Sequence, residues 1–407
     1  MRILISAYAC EPGRGSEPGI GWNWVTQAAR FHEVWAITRS NNLSPIQEHV
    51  RTRHVPDVHW VGFDLPRGVR FWKRGQRGVH LYYYLWQLGA QRVARRLHAQ
   101  VHFDVAHHAT LGTYWLPSSL ARLPVPFLWG PVGGGESAVP AFYSTFDVRG
   151  RIHEHARDAA RALATRDPLV RATARRARLA LATTPETAAR LRGLGAREVE
   201  VLSHVALPPD DMRVLASVPF RTGQEFRVLS VGRLLHWKGF HLGLAAFARL
   251  RRSVPRSEYH IIGSGPERPR LERLIQQLGL GDSVRFSGEV SRARVLEMLA
   301  AADCLLHPSL HESGGWVCAE AMAAGRPVVC LNLGGPGLQV TPATGIAVPP
   351  LSVEQVTRDL ADALCRLATD EDARRSMGQA ARQRVAADFV WTRRGEQLCR
   401  LYDRVAA

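Results

Sequence analysis

Two glutamates eight residues apart, Glu312 and Glu320, bracket a Gly314-Gly315 pair in the stretch CLLHPSLHESGGWVCAEAMAAGRPVV, residues 304–329. A carboxylate before a glycine break, and a second on the helix expected after it, can take sugar hydroxyls. A strand that runs through a glycine turn into a helix aims backbone N–H groups and the positive end of the helix dipole at one point, which suits a phosphate. Positive charge comes from elsewhere, from Arg233 and Lys238 in the turn GRLLHWKG, residues 232–239. A diphosphate there would meet a planar fork from Arg233 and a point charge from Lys238, neutralising a leaving group without a metal. All but two of the 53 basic residues are arginines, Lys73 and Lys238 being the exceptions, so an ammonium at 238 is informative.

Further glycine turns accompany these. Gly263-Ser264-Gly265-Pro266 and Ser287-Gly288-Glu289-Val290 each follow a short apolar run in the second half. In the first half, CEPGRGSEPGIGWNW carries Gly15 and Glu17, and GPVGGGES carries Gly133, Gly134 and Glu136. The first of these loops lacks GxGxxG spacing and is interrupted by two prolines, which argues against a dinucleotide fingerprint. A backbone approach to phosphate or sugar and a plain tight turn both remain open for it. His107 and His108 stand at the end of a strand pattern, where open α/β sheets place ligands. HEH at 153–155 is not a metal pair, because helix residues two apart point in different directions. DED at 370–372 reads as a helix cap.

The elements that must position these groups alternate strand and helix through both halves. Apolar runs at 2–9, 34–38, 58–63, 103–108, 126–129, 179–184 and 199–202 lie among helical patterns at 22–31, 81–96, 149–178 and 185–194. In 81–96 the side chains expected to face the core are Tyr82, Leu85, Trp86 and Leu88. Residues 203–225 hold three prolines and lose the periodicity, which predicts a linker. The alternation restarts with strands at 226–231, 259–262, 284–286, 304–306 and 327–329, separated by helices at 240–251, 268–278, 292–301 and 316–324. It closes with helices at 353–368, 372–389 and 391–405. Strands alternating with helices of this length predict parallel sheets covered on both faces.

A chain of 407 residues exceeds a single core and predicts at least two domains. No apolar run approaches the ~18 residues of a membrane span. The opening ILISAYAC reads as a buried strand rather than a secretion signal. Six cysteines without CxxC pairing fit a reducing cytosol. The net charge of +17 raises nucleic acid or an anionic membrane as partner. With nearly all of it arginine in an alanine-rich chain, it fits the coding bias of a GC-rich bacterial genome and a solvated surface, and no nucleic-acid partner is expected. Residues 66–98 are basic, aromatic-rich and free of acids. Their second part reads as a core-facing helix, while the 67–77 loop leaves peripheral contact with the cytoplasmic membrane face open.

Taken together, GRLLHWKG, the GSGP turn and HESGGWVCAEAMAAGRPVV resemble the retaining GT-B glycosyltransferases of family 4, in order and spacing across the whole second half. The EPGRGSEPGIGWNW and WGPVGGGE loops extend the resemblance to the first half. It implies two Rossmann-like doubly wound parallel-sheet domains facing a central cleft: an acceptor domain over 1–205 with a C-terminal helix at 388–407 crossing back, and a donor domain over 206–387. It further implies transfer of a sugar, with retention, from a nucleotide-diphosphate sugar to a hydroxyl acceptor, with no cofactor and a UDP or GDP sugar as co-substrate. Arg233 and Lys238 would hold the donor pyrophosphate, Glu312 the sugar hydroxyls and Glu320 the ribose. Gly263, Gly265 and the backbone of 314–317 would line the donor, Val290 lies in the loop that reads the base, and Gly15, Glu17, His107, His108, Gly133, Gly134 and Glu136 would face the acceptor or the reacting sugar.

Two departures from the family pattern stand out. The histidine commonly found near the reacting sugar is missing from WGPVGGG, leaving that role vacant or passing it to His107 or His108. Ser203-His204-Val205 replaces the usual Asn-Gly turn at the domain junction. The acceptor is unassigned among a lipid-linked sugar, a polysaccharide and a small natural product. A nucleotide-sugar epimerase or hydrolase on the same fold would consume donor without an acceptor. A non-catalytic basic membrane-binding protein would show no nucleotide-sugar affinity, and the presence of Arg233, Lys238, Glu312 and Glu320 together speaks against it.

Overall fold

The computed structural model describes residues 1–69, 78–223 and 225–407, and the chain divides into two compact units. The first comprises Met1–Gly135, Ala159–His204 and Trp391–Ala407, the second Glu136–Asp158 and Val205–Val390. Segment 136–158, which the sequence reading assigns to the N-terminal domain, therefore packs with the second unit. Its apolar side chains explain this: Ala138, Phe142 and Phe146 join Phe226, Leu234 and Phe240 in one buried cluster.

The first unit is built on a sheet of seven strands: β1 (Arg2–Ser6), β2 (Glu33–Thr38), β3 (His59–Gly62), β4 (Val105–His108), β5 (Phe127–Val132), β6 (Leu179–Ala182) and β7 (Val199–Val201). Their spatial order is β3-β2-β1-β4-β5-β6-β7, and every pairing is parallel. The second unit carries β8 (Phe226–Val231), β9 (Ser257–Ile262), β10 (Val284–Gly288), β11 (Cys304–His307), β12 (Val328–Leu331) and β13 (Gly345–Val348). Their order is β10-β9-β8-β11-β12-β13, again all parallel. Helices on both faces bury the central strands, so that Ile3, Leu4 and Ile5 in one unit and Leu305 and Leu306 in the other have no exposed surface. Chain order reverses between β1 and β4 and between β8 and β11, and at such switch points loops diverge to leave a crevice at the carboxyl ends.

Several local readings change. The glycine loop after β1 enters its helix early, at Ser16–Ala28, rather than at Trp22. Gly21 lies in that helix because a Cβ there would run into the Ala9 carbonyl, so the glycine serves close packing of loop on helix. The predicted linker 203–225 contains the helix Pro209–Ala216, with Pro209 at its first position and Asp210 and Asp211 in its first turn. Those are helix-start signals, hidden in the sequence by the surrounding prolines. The helix Val79–Val101 buries Tyr82, Tyr83 and Trp86 but leaves Leu88 exposed and Leu85 half-buried. Asp370 caps the helix Glu371–Asp388, its carboxylate accepting from the Ala373 N–H at 2.9 Å, as the DED pattern predicts. The basic loop singled out for membrane contact lies, from Arg70 to Arg77, outside the described residues. Among the described residues no helix is long and apolar enough to cross a membrane. All six cysteines are free, and Cys10, Cys304, Cys318 and Cys330 are buried.

The last helix, Trp391–Ala406, packs on Ser16–Ala28 within the first unit, where Trp391 meets Trp24 edge-on at 5.3 Å. Its Tyr402 hydroxyl lies 2.7 Å from His107 Nδ1, and the other nitrogen of that ring lies 2.7 Å from the Gly130 carbonyl. His108 is bonded to the Tyr83 hydroxyl at 3.1 Å. Burial holds both rings neutral, lowering His107 to about 4 and His108 to about 3. In the unfolded chain each would take a proton near pH 6.5, so their contribution to stability is present above that pH and is lost as pH falls toward 4 and 3. We predict that the first unit loses up to about 1.4 kcal/mol per pH unit for each of these histidines between pH 6.5 and 4. Urea denaturation read by hydrogen exchange over β4 measures this. His108→Gln should make the slope shallower, and a pH-independent midpoint would rule the account out.

Candidate active site

Lys238 follows β8 and Glu312 follows β11, the two adjacent central strands of the second unit, so the sheet brings residues 74 apart in sequence to one edge. There the Lys238 ammonium bonds directly to Glu312 Oε2, and His307 Nε2 bonds to the same oxygen at 3.0 Å. Burial pushes the Glu312 carboxyl up, but the Lys238 charge and the His307 bond outweigh it and hold the group well below the usual carboxylate range. Lys238 ends a short turn, His236–Lys238, whose Trp237 carbonyl accepts from the Leu310 N–H at 2.8 Å and so ties it to the Glu312 loop. Arg233, on the same connection, is exposed and makes no side-chain hydrogen bond or ion pair among the described residues. It is thus open to an anionic ligand.

The glycine break behaves as its residues suggest. Gly315 has φ +84 as N-cap of the helix Trp316–Ala323, a conformation an L side chain rarely adopts. The loop before it is clamped: Gly335 N–H donates to the Glu312 carbonyl at 2.8 Å, and the Gln339 amide to the Gly314 carbonyl at 2.5 Å. Ser313 donates to Glu136 Oε2 at 2.5 Å, so Glu136, expected on the acceptor side, stands within the second unit beside the Glu312 loop. Gly263 and Gly265 lie in the loop after β9, which is tied to its neighbours by Leu234 N–H to Ser264 carbonyl and Gly263 N–H to Gly288 carbonyl, both 2.8 Å. Ser264 also donates to Glu289 at 2.5 Å, and Val290 packs partly buried in the cluster that includes Trp316 and Val317.

Glu320 is buried and already has a cation. Arg292 reaches its Oε1 at 2.5 Å and Asp211 Oδ2 at 2.8 Å, bridging the helix Arg292–Ala300 to Pro209–Ala216. Burial raises the Glu320 carboxyl, and the Arg292 guanidinium opposes the rise. A ligand hydroxyl at Glu320 must share it with Arg292 or displace it.

Within the first unit, Glu17 and Gly133 meet the 111–113 loop, and Gly134 follows Gly133 in the chain. Glu17 accepts from the Leu111 N–H at 3.1 Å, the Gly133 N–H donates to the Gly112 carbonyl at 2.7 Å, and Gly134 lies against the Trp115 ring. Gly15 is the exposed N-cap of the helix bearing Glu17. His107 and His108 do not join this surface. They are wholly buried in the core described above, so neither ring fills the place of the missing family histidine.

Sequence reasoning missed Arg292, His307, Gln339 and a second cluster behind the Lys238 turn. In that cluster Glu154, with no exposed surface, lies 2.9 Å from His236 Nε2, 3.3 Å from His311 Nε2, 3.5 Å from His153 Nδ1 and 2.6 Å from Arg157 Nη2. His155 turns away to the Tyr143 ring, as the helical spacing predicts. His153, Glu154 and His236 offer ligand atoms within 4.8 Å of one another. Only HEH, of all this, was visible as a pattern.

Residues 216–384 match the family model described as Glycosyl transferases group 1. The alpha-D-kanosaminyltransferase of Streptomyces kanamyceticus is 34% identical over 179 residues, 44% of this chain and 45% of that protein. The chain thus spans less than half the length of the curated relatives it matches. Sucrose-phosphate synthase from Thermosynechococcus elongatus superposes with a TM-score of 0.67 at 23% identity, covering 99% of this chain and 98% of that one. Anabaena Alr3699/HepE in complex with UDP does so with a TM-score of 0.64 at 19% identity, over 99% and 100%. The fold class is therefore GT-B, with two parallel-sheet α/β domains.

The Lys238–Glu312 pair makes a direct prediction. Lys238→Met leaves a largely buried carboxylate without its main counter-charge, and Glu312→Gln in the same chain removes that burden. A double-mutant cycle on the stability of the second unit should give a coupling of about 0.5–3 kcal/mol at pH 7. The coupling should shrink as pH falls below the usual carboxylate range near 4.3, where the contribution of a depressed carboxyl is lost. Additive single effects at pH 7 would remove the pair from the account.

Proposed function

We propose that the protein is a retaining glycosyltransferase that moves a sugar from a nucleotide-diphosphate sugar to a hydroxyl acceptor, without a metal. The observation that carries this is the meeting of Lys238 and Glu312 at the switch point of the second sheet, beside the N-terminus of the helix Trp316–Ala323 and an unengaged Arg233. The match of residues 216–384 to group 1 glycosyl transferases supports it, and the UDP bound by the HepE neighbour supports a uridine or similar diphosphate here. Retention of configuration follows from the family resemblance of the motifs.

In this reading the bond from the anomeric carbon to the β-phosphate oxygen breaks with its electron pair going to that oxygen. The acceptor hydroxyl forms the new bond at the same carbon and passes its proton to the departing phosphate oxygen. Charge growing on the phosphate is met by Lys238, Arg233 and the helix N-terminus at 315–317, the last of these held by the clamped 312–314 loop, and preorganised donors form the largest stabilising effect in sites of this kind. Glu312, kept ionised, takes sugar hydroxyls, and Lys238 turns from it toward the phosphate when donor enters. Glu320 takes the ribose hydroxyls as Arg292 yields. Val290 and its loop lie where the base is read. Gly15, Glu17, Gly133 and Gly134 lie in the loops of the first unit that face the acceptor, and the acceptor belongs to the class of lipid-linked sugars, polysaccharides or natural products.

A thermal-shift screen of UDP, GDP, ADP and TDP sugars should find stabilisation by a UDP or GDP sugar. Failure of every donor to stabilise would count against the reading, and donor consumption without acceptor would replace transfer by hydrolysis or epimerisation. Lys238→Ala and Glu312→Gln should each lower kcat about 10²–10³-fold while leaving the circular dichroism spectrum intact. Wild-type rates in either variant would refute the assignment.

A further inference from the structure

The cluster around Glu154 stands directly behind the two candidate catalytic groups. His236 is two residues from Lys238 in one turn, and His311 is the residue before Glu312. Both rings place Nε2 beside Glu154 Oε1, at 2.9 and 3.3 Å. An ionised carboxylate only accepts, so His236 presents Nε2–H to it, whereas His311 Nε2 stands between the Glu154 oxygen and, at 2.5 Å, Arg157 Nη1, a nitrogen that only donates, so His311 is held to Glu154 through Arg157. Arg157, one turn on in the same helix, pairs with Oε2 at 2.6 Å and places its other terminal nitrogen 2.5 Å from the His311 ring. Trp237 is held between His153, from the helix that bears Glu154, and His311: its ring is nearly parallel to His153 (5.4 Å, 13°) and to His311 (5.3 Å, 16°). His236 is further packed edge-on against Phe146 at 4.9 Å.

Two chemistries fit a buried carboxylate ringed by histidines, a transition-metal site and a hydrogen-bonding hub. His153, Glu154 and His236 have the donor atoms for a metal. Yet a metal would need the same Nε2 lone pair of His236 that the carboxylate contact engages as N–H, and it would sit beside the Arg157 guanidinium already neutralising Glu154. The charge balance of the site is complete with Arg157 in place.

We propose that Glu154 is a positioning residue, a buried anionic peg that fixes the 236–238 turn and the 311–312 loop to each other and so sets the placement of Lys238 and Glu312. The peg reaches both loops from segment 136–158, which belongs to the second unit through Phe142 and Phe146, so its position is set by that unit's own core. Fully buried, with Oε1 bonded to His236 and Oε2 in ion-pair contact with Arg157 but outside hydrogen-bond geometry, Glu154 favours the arrangement of the two loops in which its charge is compensated. The catalytic consequence rests on the transferase reading of Lys238 and Glu312, whereas the structural one does not.

The test uses the full chain carrying Glu154→Gln, which keeps shape and removes charge, with His311→Asn as a second variant should the first fail to fold. Hydrogen exchange of the ligand-free protein should quicken in peptides covering 236–238 and 311–312 and stay unchanged in the first unit. With the donor found in the screen, kcat should fall about ten- to a hundredfold with little change in donor KM, since misplacement of fixed groups acts on the transition state. Glu154→Asp should restore part of the loss. Unchanged exchange in the two peptides overturns the peg, and so does a wild-type kcat in a folded variant. Stoichiometric zinc or another transition metal, bound by the wild type and lost in Glu154→Gln, overturns it in favour of the metal site. A wild-type protein that transfers nothing from any donor sinks the transferase reading alone, and the exchange arm still decides on the peg.

Discussion

Parallel pairing is the constraint from which the rest of this molecule follows. A parallel strand cannot return through a tight turn, so each must be followed by a crossover, and the crossovers cover both faces of the sheet. All carboxyl ends then lie along one edge. In the second unit this places the loops after β8, β9, β10 and β11 side by side, and the reversal of order between β8 and β11 parts the two central loops. Lys238 and Glu312 stand on those two. Their meeting follows from topology as much as from their own chemistry.

Charge compensation then decides what the site looks like without a ligand. Glu312 is paired with Lys238 and Glu320 with Arg292, because a carboxylate withdrawn from water must find a cation or lose its charge. The carboxylates expected to hold a donor are thus already held by the protein's own cations. Binding in such a site is an exchange of partners, in which the net gain is the difference between what the ligand offers and what the protein's own cations already provided. Arg233, alone among the charged candidate side chains described above in having no internal partner, would meet an incoming phosphate at no such cost.

What the sequence disclosed and what it hid divide along a physical line. Glu312, the glycine break, the helix after it and the Lys238 turn are legible because each is a local pattern: spacing, φ requirement and residue type act within a few positions. The alternation of strand and helix is legible for the same reason. Contacts across the fold are not. Glu154 and His311 are 157 residues apart, and nothing in HEH at 153–155 announces that its central acid turns inward to meet residues from two loops. Arg292 on Glu320 and Glu136 on Ser313 are hidden likewise. His107 and His108 mislead in the opposite sense: the end of a parallel strand is where ligands are expected, but a ring that finds a tyrosine hydroxyl and a carbonyl inside the core can stay there uncharged. The proline-rich 203–225 stretch reads as linker because prolines that break a helix interior also begin one.

The last helix has a bearing on how the chain acquires its structure during synthesis. Trp391 and Tyr402 fill places in the first unit, beside Trp24 and His107, that no earlier residue fills. When residues 1–204 have emerged from a ribosome, that unit still lacks this part of its interior and exposes the apolar groove meant for it. The second unit, contiguous apart from segment 136–158, can close first. The amino-terminal half therefore completes its core last, after the unit that follows it in the chain has been made.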